Sequence, residues 1–116
     1  MIETAPKVID EELALEQAGG SLELAKELFD MLLKELSQFE RVLRAAFECR
    51  DWETLQRSAH KLTGAAIYCG VPALKLASET LETKLKRGHT EDVGAYVTHL
   101  LEEIHQVQAH AHSRLA

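Results

Sequence analysis

His60 and Gly64 are the residues of this chain whose types and spacing most clearly suggest chemistry. They stand one helical turn apart in the stretch SAHKLTGAAIYCG, residues 58–70. A glycine inside a helix costs about 0.5–1 kcal/mol relative to alanine. Because helical side chains lean toward the N-terminus, a side chain at position 64 would normally lie over His60. Glycine at this position is therefore predicted to leave one side of the imidazole open to a large partner.

His60 is predicted to lie on the outer face of its helix. At about 100° per residue, its side chain points roughly 130° away from the centre of the apolar stripe, which falls between Ala59 and Leu62. The same outer face carries Glu53, Gln56, Arg57, Gly64 and Ile67. Gln56 and Ile67 are accordingly predicted to contact the partner that Gly64 admits.

An exposed histidine of this kind suits phosphoryl transfer better than hydrolytic catalysis. Histidine side chains are good nucleophiles near neutral pH because their ordinary pKa is about 6.5. Triad-type catalysis would need an orienting partner and an oxyanion site, and the sequence shows no serine–histidine–acid pattern. Transfer of a phosphoryl group depends mainly on positioning and charge neutralisation, which a partner can complete. Arg57 and Lys61 are predicted to offset the charge of the phosphorylated ring.

Five amphipathic helices are predicted to position this histidine, one short and four long. Apolar residues recur every three or four positions, and no segment shows the alternation typical of a strand. The fold class predicted is all-α, an antiparallel up-down four-helix bundle with a short extra N-terminal helix covering one end. Caps and glycine or proline breaks place the helices at about 10–18, 21–50, 51–70, 72–88 and from 90 onward.

Length and composition limit the other possibilities. A chain of 116 residues fits one domain, with residues 1–9 as a tail or linker and residues 10–116 as the domain. The net charge of -6 argues against nucleic-acid binding. No apolar run reaches the roughly 20 residues of a membrane span, so we expect no direct membrane contact and a cytoplasmic location. Cys49 and Cys69 are expected to be reduced, buried thiols.

No cofactor of its own is predicted for the chain. Its glycines form no phosphate-binding loop, so we expect no ATP site and no autophosphorylation. The remaining histidines are poorly spaced as ligands, and no metal site is predicted. Glu79, Glu82, Lys84 and Lys86 are interpreted as a solvated helix face without a function.

The motif around His60 resembles that of histidine-containing phosphotransfer (Hpt) domains of bacterial phosphorelays. In that family an apolar residue follows the histidine by two positions, a glycine by four, and a second glycine by ten, with small residues after the first glycine. Here these are His60, Leu62, Gly64, Ala65, Ala66 and Gly70. The longer stretch HKLTGAAIYCGVPALKLASETLETKL is most similar to the C-terminal Hpt domain of BarA/GacS-type hybrid sensor kinases.

The resemblance implies a phosphorelay intermediate of a two-component system. His60 would accept a phosphoryl group through its outer ring nitrogen from a receiver-domain aspartate and pass it to the aspartate of a response regulator. The receiver would supply Mg²⁺ and would belong to the same parent chain, a hybrid kinase that tethers the domain to the inner membrane. The same pattern also fits a free-standing Hpt protein.

One position departs from the family pattern. Many members carry a lysine three residues after the histidine, where this chain has Thr63. Threonine cannot supply a positive charge, so Lys61 or Arg57 is expected to take that role.

The alternative function is a degenerate helical adaptor that binds receivers without phosphoryl transfer. Such an adaptor would typically have lost the histidine, which this chain retains. An enzyme that uses His60 as a general base is the third possibility.

Overall fold

The computed structural model describes residues 6–115, with side chains described as far as Ala111. The chain forms α1 Glu11–Gln17, α2 Leu22–Glu48, α3 Trp52–Ala66, α4 Pro72–Lys86 and α5 Val93–Leu115. Each long helix packs on its neighbours in the order α2, α3, α4, α5 and back to α2, and α1 packs on α2. No strand occurs among the described residues. The predicted four-helix bundle with a short extra N-terminal helix is confirmed.

The first three helices begin where the sequence places caps. Asp10, Ser21 and Asp51 each accept a hydrogen bond from the backbone N–H three residues on, at 3.0–3.1 Å. These bonds satisfy amide groups that have no partner within the first helical turn. Two other boundaries differ from the prediction: α3 ends at Ala66 rather than at Gly70, and α5 begins at Val93 rather than at Thr90. Turns occupy the intervening residues.

The core is built from the predicted apolar stripes. The largest side chains with almost no solvent exposure are Leu32, Leu36, Leu43, Leu55, Leu62, Leu74, Leu81, Leu100 and Ile104. Burying a leucine or isoleucine side chain contributes about 1.5–3 kcal/mol. This core leaves the outward faces of α3 and α4 free for other contacts. Of the two cysteines, Cys69 is buried and Cys49 is exposed. The expectation of two buried thiols is therefore wrong for Cys49, which follows the last residue of α2.

The segment before α1 packs against the bundle. Val8 and Ile9 are half-buried against the core. The Lys7 carbonyl accepts a hydrogen bond from the backbone N–H of Ala73 at 3.1 Å. Residues 7–9 of the predicted tail or linker thus contact the domain, whereas residues 1–5 and residue 116 lie outside the described residues.

Gly70 joins α1 to the turn between α3 and α4. Its carbonyl accepts a hydrogen bond from the Asp10 N–H at 2.8 Å. Its φ of +67° is in the left-handed region, and a Cβ at this position would lie 2.5 Å from the Asp10 carbonyl oxygen and 2.6 Å from the Ala14 Cβ. Both the backbone conformation and the close approach of α1 therefore require glycine.

We expect Gly70→Ala to lower the free energy of unfolding by about 2–4 kcal/mol, because it combines left-handed strain with a steric clash. Urea denaturation followed by circular dichroism measures this. Gly88→Ala is the matched control, since Gly88 has a φ of +71° but open space where its Cβ would lie. That variant should lose only about 1 kcal/mol. Equal losses in the two variants would show that the contact with α1 contributes nothing.

Candidate functional site

His60 lies on the outward face of α3, as its helical position predicts. Its side chain is 71% exposed. Gly64, one turn further along α3, is also exposed, and a Cβ at this position would meet no atom within 4 Å. Internal packing therefore does not require glycine at position 64, in contrast to Gly70. The missing side chain at position 64 leaves the surface beside the imidazole open.

A buried glutamate on α4 holds the inner nitrogen of the His60 ring. The His60 Nδ1 lies 2.6 Å from the Glu82 Oε2, and Glu82 is only 7% exposed. The prediction that Glu82 lies on a solvated face is therefore wrong. Helix α4 packs against both α3 and α5, so its buried surface is wider than one stripe. The buried residues of α4 are Leu74, Ala77, Ser78, Leu81, Glu82 and Leu85.

This contact determines which ring nitrogen is free to react. An ionised carboxylate only accepts hydrogen bonds, so the His60 Nδ1 carries the proton and donates it to Glu82. In a neutral imidazole the other nitrogen, Nε2, then keeps its lone pair. Because the ring is largely exposed, Nε2 is the nucleophilic atom that the site presents to a partner.

Lys86 completes a charged group at the base of the imidazole. Its Nζ lies 3.0 Å from the Glu82 Oε2, the same oxygen that contacts the His60 Nδ1. Burial raises the pKa of Glu82, but the hydrogen bonds from Lys86 and His60 outweigh it and hold that pKa below its ordinary value of 4.5. Glu82 is therefore an anion at neutral pH. Lys86 was not among the predicted site residues, because it was interpreted as part of a solvated helix face.

The structure brings only some of the predicted site residues together. A surface cleft, here called the His60 cleft, is lined by Glu53, Gln56, Arg57, His60, Glu82 and Lys86. Arg57 stands at its edge, where its guanidinium donates to the Glu53 carboxylate at 2.8 Å. Lys61 instead lines a separate groove with residues of α2, among them Phe39 and Val42. Ile67 is the C-cap of α3 and is exposed, but it lies outside the His60 cleft.

Thr63 points into the bundle rather than toward the cleft. It is buried, and its Oγ1 lies 2.9 Å from the Ala59 carbonyl oxygen and 2.8 Å from the Ser78 Oγ. This position therefore offers no positive charge to His60. Within residues 6–111, no group of three or more histidine, cysteine or acidic side chains is arranged to hold a metal ion.

Comparison with known proteins identifies the family of this chain. The family model for the Hpt domain matches residues 13–110. The chain belongs to the Hpt domain family. Hpt domains take part in the phosphorelays of two-component signalling systems.

The relatives of this Hpt domain include hybrid-kinase sensor proteins. It is 38% identical over 93 residues to the sensor protein GacS of Pseudomonas syringae pv. syringae, covering 78% of this chain and 10% of that protein. It is 36% identical to the sensor histidine kinase GacS of Pseudomonas protegens, over 95% of this chain and 11% of that protein. The signal transduction histidine-protein kinase BarA of Escherichia coli K12 is 33% identical, over 89% of this chain and 11% of that protein. The chain thus spans about a tenth of the length of these relatives.

A solved Hpt domain has the same fold. The HPT domain of the Hpt sensor hybrid histidine kinase from Shewanella superimposes with a TM-score of 0.87 at 32% sequence identity. The alignment covers 93% of each chain. None of the described helices of this Hpt domain is both long enough and apolar enough to cross a bilayer.

Glu82 gives this Hpt domain a testable dependence of stability on pH. A carboxyl whose pKa is lowered by folding stabilises the protein above its ordinary pKa, and this contribution is lost as the pH falls through the folded value. For Glu82 that range begins near the ordinary value of 4.5 and extends below it. We therefore expect Glu82→Gln to make the free energy of unfolding less dependent on pH in this range.

Chemical denaturation at a series of pH values measures this dependence. Glu102→Gln is the control, because Glu102 is an exposed glutamate on α5 outside the His60 cleft. The Glu102 variant should keep the dependence of the wild type. An unchanged slope in Glu82→Gln would contradict the ion pairing assigned to Glu82.

Proposed function

We propose that this Hpt domain is a phosphorelay intermediate in which His60 carries the phosphoryl group. The Nε2 atom of His60 accepts it from a receiver-domain aspartate and later passes it to the aspartate of a response regulator. The observation that carries this proposal is the contact of 2.6 Å between the His60 Nδ1 and the Glu82 Oε2. It fixes the proton on the inner nitrogen and leaves the lone pair on the exposed one.

The transfer step requires no proton movement. The Nε2 lone pair attacks the phosphorus of the aspartyl phosphate, and a new N–P bond forms while the acyl P–O bond breaks. The electron pair of the broken bond leaves with the aspartate carboxylate. The Nδ1 proton stays in place, so the phosphorylated ring becomes positively charged against the Glu82 carboxylate, which stabilises it. Onward transfer to the response regulator is the same step in reverse.

The partner supplies what the domain lacks. The receiver would hold Mg²⁺ in its acidic pocket, and that ion would supply positive charge to the phosphoryl oxygens. Gly64 admits the receiver to the ring, and Gln56 and Ile67 contact it on either side along the outer surface. The donor receiver belongs to the same hybrid kinase as this domain, which places the domain at the cytoplasmic face of the inner membrane. The acceptor is a separate response regulator.

Incubation with a phosphorylated receiver tests the function. A receiver domain of a GacS-type hybrid kinase, loaded from acetyl phosphate in the presence of Mg²⁺, should label the domain. The label should be lost in acid and survive alkali, as a phosphoramidate does, and ATP alone should give none. An adaptor without transfer chemistry would bind the receiver and stay unlabelled. An acid-stable label would also contradict the proposal.

A further inference from the structure

We propose that Lys86 is the counter-ion of the phosphoryl group on His60, and that it leaves Glu82 for that group when His60 is phosphorylated. This inference rests on the proposed function, because it concerns the phosphorylated form of the same site. It assigns to α4 the positive charge that the sequence analysis expected from Lys61 or Arg57 on α3.

Lys86 already lies close to the imidazole of His60. The Lys86 Nζ and the His60 Nδ1 contact the same oxygen of Glu82, at 3.0 Å and 2.6 Å. The ammonium therefore already lies beside the imidazole, on the rim of the His60 cleft. The Lys86 side chain is 57% exposed, and its four-carbon stem is free to turn toward the outer nitrogen.

Phosphorylation of His60 changes the charges around Glu82. A ring that attacks through the Nε2 lone pair is neutral, so the positive charge paired with Glu82 before the attack is that of Lys86. After transfer the ring itself is positive and is held by Glu82 through the Nδ1 proton. The Glu82 carboxylate is then paired with two positive groups, the ring and Lys86. At the same time the phosphoryl oxygens carry up to two negative charges. If Lys86 moves to the phosphoryl group, Glu82 stays paired with the positive ring and the phosphoryl oxygens gain a positive partner.

The other cations near His60 are less well placed than Lys86. Arg57 lines the same cleft, but its guanidinium is already paired with Glu53 at 2.8 Å. Lys61 lies in the groove toward α2, which His60 does not line. Position 63 holds a buried threonine. Among the charged residues that line the His60 cleft, Lys86 is thus the cation whose present partner is itself bonded to the reactive ring.

Phosphorus NMR of the phosphorylated domain tests this assignment. The domain is loaded with phosphoramidate as a small-molecule donor, and the resonance of the phosphohistidine is followed as a function of pH. A nearby positive charge favours the dianionic phosphoryl group. Lys86→Gln should therefore raise the titration midpoint by about half a pH unit. Transfer from a phosphorylated receiver should slow by about threefold.

Two further variants separate a charge effect from a structural one. Lys86→Arg keeps the positive charge and should retain the midpoint of the wild type. Lys75→Gln removes a lysine from the same helix outside the cleft and should also leave the midpoint unchanged. A midpoint that is unaltered in Lys86→Gln, or that moves in Lys61→Gln instead, overturns the assignment of Lys86. Absence of any phosphohistidine resonance from the wild type would instead overturn the proposed function.

Discussion

His60→Gln should abolish phosphoryl acceptance while the protein remains folded. Glutamine has no nucleophilic ring nitrogen, so no N–P bond can form at this position. The His60 side chain is 71% exposed, and replacing such a residue typically changes stability by about 0.5 kcal/mol or less. The glutamine amide is also able to donate a hydrogen bond to Glu82 in place of the ring. The measurement is transfer of labelled phosphoryl from a receiver, together with thermal unfolding by circular dichroism.

His105→Gln is a closely matched control for this experiment. His105 is another exposed histidine paired with a glutamate, since its Nε2 lies 2.9 Å from the Glu40 Oε1. That contact uses the outer nitrogen, and it lies between α5 and α2 rather than in the His60 cleft. The His105 variant should accept label at the rate of the wild type. A folded His60→Gln protein that still accepts label would assign the role to another residue.

Gly64→Leu should slow transfer from a receiver by about a hundredfold, the loss typical of reacting groups displaced by about 1 Å. The leucine side chain would lean toward the N-terminus and lie over the imidazole. The structure also predicts that the variant folds normally, because a Cβ at position 64 meets no atom within 4 Å. Gly64→Ala should be more stable than the wild type by about 0.5–1 kcal/mol and should transfer at an intermediate rate.

A small donor distinguishes blocked docking from a damaged site. Phosphoramidate reaches the ring without a protein surface, so Gly64→Leu should lose less activity with it than with the receiver. Stopped-flow or rapid-quench transfer assays with both donors measure the two rates. Transfer from the receiver at the wild-type rate in Gly64→Leu would show that position 64 does not control access.

The sequence predicted those features that depend on one helix at a time. The stripe of α2 is an example: Leu32, Leu36 and Leu43 are buried, and Phe29 and Phe39 pack against the same core. The outward direction of His60 follows from the same reasoning, since it is set by its angle to the stripe of α3. The same angle predicts an exposed Ile67, and this residue, the C-cap of α3 with helical backbone angles, is exposed.

The features that were missed depend on how helices pack together. Glu82 reaches His60 across 22 positions of sequence, and that contact requires the rotation of α4 against α3. Ser78 and Glu82 are one turn apart beside the apolar stripe of α4, and both are buried. Their spacing was the one feature of the sequence that could have indicated a second buried row on this helix. The close contact between Gly70 and α1 was missed for the same reason, because it depends on how α1 approaches the turn after α3.

NMR can locate the nitrogen atom that carries the phosphoryl group. In the ¹⁵N-labelled domain, phosphorylated by a receiver, coupling to phosphorus identifies the nitrogen that carries the group. The predicted result is a coupling at the Nε2 of His60 and at no other histidine, with the proton retained on Nδ1 and bonded to Glu82. Coupling at the Nδ1 of His60, or at a nitrogen of any other histidine, would contradict phosphorylation at the Nε2 of His60.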